Sequence, residues 1–325
     1  MIENIEIENF KCYQHEKIEF NHINLISGIN SSGKSTILQS MLLFFNERKE
    51  VDIDLRHTDY DIDFVSFKSI INNRAENAET FKVKVNDESR IFKELIYKAD
   101  KPLYSMSKTN TIDNLEDLYY ISANREITAD QKELKIQNNY IPNKKNTTLG
   151  QYIKQNIDEL RTTDFSKELD ETLLEMGIIE KGITASGELG NISIEVDSIP
   201  ISNVGIGIQY VLPIIVTILT NERINLIIEN PEIHLHPKAQ VSLMNFICKK
   251  CIEKEIQLFV ETHSDHILNS LRLFAKTSGN FNKINVFFIN EQSDIKQISI
   301  NEMGKLSRYY TDFFDEIQKQ VVELL

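Results

Sequence analysis

A chain of 325 residues has room for roughly two lobes at about 150 residues each. Its 49 acidic and 36 basic side chains leave a formal charge of −13 with 41% hydrophobic residues, a globular balance that argues against coating nucleic acid, which takes clustered Lys and Arg. The acidic first ten residues do not resemble a leader, the longest apolar run (Val211–Leu219, with Pro213 inside) falls far short of the ~20 residues of a bilayer span, and three cysteines cannot frame a secreted fold, so a cytoplasmic, membrane-free chain is expected.

In chain order, alternation at Ile2, Ile5, Ile7 and Phe10, then Ile18, Phe20, Ile23 and Leu25, predicts short strands. From Ser35 to Asn46 the spacing of Ile37, Leu38, Met41, Leu42, Phe44 and Phe45 predicts a helix. Residues 50–75 are acidic and irregular. Phe81–Val85 and Ile91–Tyr97 read as a hairpin or meander, and Leu118–Ile121 as a further strand. The polar stretch 126–148 reads as a loop whose Lys132, Lys135, Lys144 and Lys145 form a solvated face, with a contact to nucleic acid or a partner as the weaker reading. Leu149, Tyr152, Ile153, Ile157 and Leu160 mark one helical stripe; Phe165, Leu169, Leu173 and Met176 mark another. Neither lasts long enough for a coiled coil. Gly177–Asn203 suggests strands and turns. Thereafter helices near 208–220, 237–252 and 265–276 alternate with strands at 224–228, 256–260 and 284–289, an α/β pattern.

Gly28-Ile-Asn-Ser-Ser-Gly33-Lys34-Ser35 matches the phosphate-loop pattern GxxxxGK[ST], with a strand before it and a helix after it. Gly28 and Gly33 let backbone N–H groups converge on phosphate oxygens, and the helix N-terminus adds its unpaired N–H groups. Lys34 is placed to reach the β- and γ-phosphates, and Ser35 to ligate Mg²⁺. No NKxD guanine reader occurs in the chain. Leu226-Ile-Ile-Glu229-Asn230-Pro231-Glu232 ends an apolar strand on an acid, where an α/β nucleotide fold needs a carboxylate for Mg²⁺, so Glu229 is the candidate. Leu258-Phe-Val-Glu261-Thr262-His263 ends another strand on polar groups, and His263 can hydrogen-bond a γ-phosphate or its attacking water. A transition-metal site built from His234, His236, His263, His266 and Asp265 is the weaker reading of these histidines. Cys248 and Cys251 read as ordinary helical thiols. Arg125 reads equally as a phosphate or interface arginine and as a surface ion-pair residue.

Together NFK, GxNSSGKS, VGxG…LPI, ENPExHLHP and ETHSDHIL resemble the SMC/RecF-like branch of ABC ATPases, and most closely the OLD-like AAA-family ATPases of bacterial anti-phage defence loci such as Septu and Gabija. The resemblance covers residues 1–45 and 200–275, with FFDE at 313–316 and a weaker match at 119–126. It implies a mixed central sheet with flanking helices plus N-terminal antiparallel strands, with an α+β insert in place of a coiled coil. It further implies ATP and Mg²⁺ as ligands. Lys11 would lie beside the adenine, and Asn30, Ser31, Ser32, Gly33, Lys34, Ser35 and Thr36 would hold the phosphates. Gly205 and Gly207 would sit in the signature loop that reaches across a dimer. Ser35 and Glu229 would serve the metal, with Lys34, Glu229, Glu232 and His263 as catalytic groups. Two departures stand out. The general-base position after the strand-end acid is Asn230, leaving Glu232 to substitute or hydrolysis to be slow, and no glutamine between Gln39 and Gln131 can serve as the usual Q-loop ligand.

The expected organisation is lobe one at 1–74, an insert at 75–195 and lobe two at 196–325. The 62 residues after His263 are too few for the Toprim nuclease of OLD proteins. The expected function is a dimerising ATPase, a nucleotide-gated switch sandwiching ATP between two copies and controlling a separate nuclease or toxin effector. A slowly or non-hydrolysing ATP-bound scaffold and a RecF/SMC-like DNA-repair ATPase are the alternatives.

Overall fold

Alternating and fully apolar stretches sort into two sheets. The computed structural model describes residues 1–45, 52–54, 64, 66–72, 74, 79–87, 92–99, 105–108, 118–123, 125, 128–130, 133–135, 165–188 and 191–324. The amphipathic strands β1 (Ile2–Phe10) and β2 (Tyr13–Glu19) are antiparallel and turn at Lys11 and Cys12. Strand β3 (Ile23–Gly28) is buried at every position, as a central parallel strand must be. It feeds helix α1 (Lys34–Phe45), of which Ser35 and Gln39 are the residues not classed as buried. Next come β4 (Asp52–Asp54), a single helical turn α2 (Phe67–Ile70), β5 (Thr80–Asp87), β6 (Phe92–Ala99) and β7 (Ser105–Lys108). These strands extend the first sheet in the order β2-β1-β5-β6-β7-β4, every pair antiparallel.

Strand β8 (Leu118–Ile121) returns to the second sheet. Beyond it lie β9 (Thr128–Asp130) and β10 (Glu133–Lys135), a short antiparallel ladder inside the stretch read as loop. The stripe expected at 149–160, with all of 136–164, falls outside the described residues. Helix α3 (Phe165–Glu175) and strands β11 (Ile183–Glu188), β12 (Asn191–Val196) and β13 (Ile199–Pro200) follow the expected spacing. The α/β run is then α4 (Ile206–Thr220), β14 (Asn225–Glu229), α5 (Pro237–Glu253), β15 (Gln257–Glu261), α6 (Asp265–Ser278), β16 (Ile284–Ile289), β17 (Ile295–Ser299) and α7 (Glu316–Leu324). The second sheet has the order β17-β16-β3-β15-β14-β8, parallel except for β17. Strands β5 and β8, both between residues 75 and 195, belong to the first and second sheets respectively.

Successive side chains on a strand point to opposite faces, and both faces of the second sheet are covered. Ile227, Phe259 and Phe287 pack with α1 and the inner face of the first sheet. Leu226, Ile228, Leu258, Val260, Val286 and Phe288 pack with α4, α5 and α6 on the other face. Cys248 and Cys251 are buried in α5 with their thiols free, as expected of helical core residues. Among the described residues, no helix is long and apolar enough to cross a membrane.

One buried side chain ties the two sheets at their edge. Gln257, 1% exposed, accepts from the N–H of Ile2 at 2.6 Å and donates to the carbonyls of Ile2 at 2.7 Å and Asn21 at 2.9 Å. Gln257→Leu leaves these backbone groups without their partner. It is expected to lower stability by about 2–4 kcal/mol, read as a shift in the denaturant midpoint at unchanged slope.

Candidate functional site

The parallel register of three strands delivers the polar groups to one edge. Ile26 of β3 pairs with Glu261 of β15, which pairs with Glu229 of β14. Beyond Ile26 the chain forms the phosphate loop. Gly28 has φ 151°, and a Cβ there would lie 2.2 Å from the carbonyl oxygen of Ile289. Gly33 has φ 110°, and its Cβ would meet Cys12 Sγ and the Tyr13 hydroxyl at 2.7 Å. Both positions therefore require glycine. Between them Ser31 takes φ 62°, and Ser32, 1% exposed, has a buried hydroxyl without a hydrogen-bond partner.

Lys34, the first residue of α1, is 5% exposed and donates to the carbonyls of Gly28 at 3.0 Å and Ile29 at 2.5 Å. Its amine is folded back over the loop, with its pKa lowered by burial and partly restored by Glu261. Ser35 Oγ lies 3.2 Å from each carboxylate oxygen of Glu261. The Thr36 hydroxyl faces Cys12 Sγ at 3.8 Å, and Tyr13 donates to the Gly33 carbonyl at 3.2 Å. Lys11 also has positive φ. Its amine donates to Gln39 and lies 5.1 Å from the centre of the Phe64 ring, and burial lowers its pKa.

The acids are crowded. Glu229 Oε2 accepts the Ala123 N–H at 3.2 Å, and burial raises the Glu229 pKa. Glu261, 5% exposed, is pushed up to about 7, first by burial and next by the Glu229 charge. Glu232 accepts the His263 N–H at 2.9 Å through one oxygen while the other is buried without a partner, and burial raises its pKa as well. His263 is partly exposed, and partial desolvation and the Lys34 charge lower its pKa. A cavity of about 240 Å³ opens beside Ser27, Gly28, His263 and Asp265 and is also lined by Asp312, Phe314 and Glu316 of the FFDE region.

The structure thus brings Lys34, Ser35, Glu229, Glu232 and His263 to one edge. Gly205 and Gly207 lie elsewhere: with His234, Leu235 and His236 they line a cavity of about 390 Å³, and no phosphate-loop residue lines it. The histidine metal cluster does not form. Among the described residues, the grouped ligand side chains are Glu6, Glu8 and His15 on the first sheet, where Lys84 already bonds both glutamates. Sequence reasoning passed over Glu261, although an acid at a strand end directly before Thr262-His263 was the available signal.

Arg125 differs from both of its sequence readings. It is fully buried and contacts neither solvent nor an exposed acid. Its guanidinium donates to the carbonyls of Ser122, Tyr210, Glu229 and Asn230 at 2.8–3.0 Å and lies 5.2 Å from the Tyr210 ring centre. One cation thereby ties the end of β8, helix α4 and the turn after β14. That turn explains Asn230, whose φ of 43° is a left-handed conformation that asparagine tolerates better than glutamate.

The family described as "AAA ATPase domain" matches residues 1–184, more than half of the chain. An AAA domain family whose description also names the AbiEii toxin and the Type IV TA system matches residues 195–269. The OLD nuclease of Thermus scotoductus is 21% identical over 98% of this chain and 70% of its own length. The Structural maintenance of chromosomes protein 6 of Dictyostelium discoideum is 43% identical over 44 residues, 13% of this chain and 4% of that protein. In three dimensions, an Smc head domain from Pyrococcus furiosus, bound to the C-terminal domain of ScpA, aligns with TM-score 0.59 at 12% identity and 99% coverage of both chains. The recombination mediator RecF aligns with TM-score 0.52 at 12% identity, covering 91% of this chain and 98% of that one. The fold is that of an SMC/RecF-type ABC ATPase head.

Two consequences are measurable. Arg125→Met strips four buried carbonyls of a donor and is expected to destabilise by about 3 kcal/mol or more, with Arg125→Lys recovering part of the loss; thermal melts decide it. In the nucleotide-free chain, Glu261 binds its proton more tightly folded than unfolded. Its stabilising contribution is therefore full below the ordinary value of 4.5 and is lost as pH rises toward about 7. Glu261→Gln should flatten that slope, seen by comparing denaturant midpoints at about pH 5 and about pH 7.5.

Proposed function

This chain belongs to the AAA ATPase domain family, and we propose that it is an ATP·Mg²⁺-dependent switch that pairs with a second copy and controls a separate effector in anti-phage defence. The observation that carries the nucleotide reading is the phosphate loop: two glycines that no other residue can replace, Lys34 held above them, and Ser35 facing an acid. The residues fit the nucleotide and its metal. Ser32 and Glu232 each hold a buried polar atom without a partner, and the loop leaves no space for a Cβ at Gly28 or Gly33.

On this reading Lys34 leaves the carbonyls of Gly28 and Ile29 for the β- and γ-phosphates. Asn30, Ser31, Ser32, Gly33 and Thr36 give the rest of the phosphate cradle, and Lys11 lies at the adenine side. Ser35 and Glu229 would hold Mg²⁺, and the bound ion would supply neutralisation of phosphate charge. Glu232 takes the proton of the attacking water, since the Asn230 amide cannot. Burial moves its pKa upward, toward the range in which a carboxylate is a useful base. His263 hydrogen-bonds the γ-phosphate. Gly205 and Gly207, gathered away from this chain's own phosphate loop, are offered to the nucleotide of the second copy. Occupancy of γ-phosphate would then close two heads, and its loss would open them.

Residues 1–74, 75–195 and 196–325 act as lobe one, insert and lobe two. The likeness to an OLD nuclease and to a family whose description names a toxin is what supports the defence setting. Asn230 favours a second reading, in which ATP is held with slow or no turnover and the assembled heads serve as a scaffold.

Steady-state phosphate release separates the two. In the switch, Lys34→Ala abolishes ATP binding, while Glu232→Gln lowers kcat by about 10²-fold or more with ATP affinity kept. Turnover that ignores Glu232→Gln removes Glu232 as the base, and no turnover in the unmodified chain gives the scaffold.

A further inference from the structure

Ser35 faces an acid other than the one its motif predicts. The second sheet places β15 between β3 and β14, so Glu261 stands one strand nearer the phosphate loop than Glu229 does. Ser35 Oγ sits astride the Glu261 carboxylate, 3.2 Å from each oxygen, while Glu229 Oε2 is engaged by the Ala123 N–H. A hydroxyl carries one proton and two lone pairs, so donation to Glu261 turns the lone pairs of Ser35 away from that acid. Glu229 and Glu261 are register partners on neighbouring parallel strands, which run roughly 5 Å apart. Two carboxylates at that spacing repel one another, the more so because Glu261 is buried.

The cations nearest them lend charge to the pair but no direct bond. Lys34 is bonded to carbonyls of its own loop, and Arg125 spends its donors on four backbone carbonyls. The same edge carries two buried acceptors without partners, Asn230 Oδ1 and Glu232 Oε2. A hard divalent cation with oxygen ligands is the species that matches two acids and a hydroxyl. No glutamine occurs between Gln39 and Gln131, where a Q-loop ligand would ordinarily complete such a set.

We propose that Glu261 is the second carboxylate of the divalent-cation site: it orients the Ser35 hydroxyl toward the ion and, with Glu229, forms a two-acid cradle that replaces a glutamine ligand. This rests on the phosphate loop binding a nucleotide. Glu261 is a positioning residue that acts through Ser35 and the ion's water shell, and its loss weakens the metal without weakening metal-free nucleotide binding.

The test uses the full chain with ATP and Mn²⁺ as the spectroscopic stand-in for Mg²⁺. Bound Mn²⁺ is counted by electron paramagnetic resonance, and ATP affinity is measured separately in excess chelator. Glu261→Gln is expected to lower Mn²⁺ affinity of the nucleotide complex by roughly 10–100-fold, with chelator-phase ATP affinity unchanged or tighter because a negative charge is gone. Mn²⁺ affinity equal to that of the unmodified chain overturns the proposal, as does an equal fall in metal-free ATP affinity. If Glu261→Gln fails a thermal-melt check, Glu261→Asp carries the test through its shorter reach: a several-fold loss of Mn²⁺ affinity supports the cradle, and no loss overturns it. Absence of ATP binding by the unmodified chain in either condition is a different result, and it removes the nucleotide reading itself.

Discussion

The parallel register of three strands governs this molecule. Ile26, Glu261 and Glu229 are successive register partners on β3, β15 and β14, so the chain leaving β3 enters the phosphate loop directly beside two acids. A strand slipped by one residue turns every side chain to the opposite face. The register is held because both faces are buried: Phe259 packs toward α1 and the first sheet, while Leu258 and Val260 pack toward α4, α5 and α6. The apolar core thus sets the position of charged groups that repel one another.

The first sheet contributes to the same edge from the other side. Its β1–β2 turn carries Lys11 and Cys12 and leads into Tyr13, which together press against the loop. Tyr13 donates to the Gly33 carbonyl, Cys12 Sγ faces Thr36, and Lys11 reaches Gln39 on the first helix. The Gln257 bonds to Ile2 and Asn21 hold the two sheets together at the start of these strands. Arg125 does the equivalent work around the turn after β14, binding carbonyls from three segments distant in sequence. The Tyr210 carbonyl of helix α4 thus shares one donor group with the carbonyls of Glu229 and Asn230.

The phosphate loop and the α/β alternation after residue 205 were legible because each depends on local pattern: glycine where a Cβ cannot fit, apolar spacing where a helix or strand buries one or both faces. The same local logic placed Glu229 and His263 at strand ends. What depends on neighbours was not legible. That Ser35 meets Glu261 rather than Glu229 follows from strand order, which puts the later strand β15 between two earlier ones. The burial of Arg125 was equally hidden, since its acceptors are main-chain carbonyls that exist at every position and leave no side-chain signature. Asn230 looked like a missing base when read as a motif. In the fold it is also a residue suited to a left-handed backbone whose N–H donates to the Glu261 carbonyl.

The central claim is that the amides after β3, with Lys34 and Ser35, receive a triphosphate together with a divalent ion. Isothermal titration calorimetry of the full chain, purified free of nucleotide and metal, tests it most directly. Saturable uptake of one ATP per chain is expected when Mg²⁺ is present; no heat of ATP uptake with Mg²⁺ at millimolar nucleotide would contradict it.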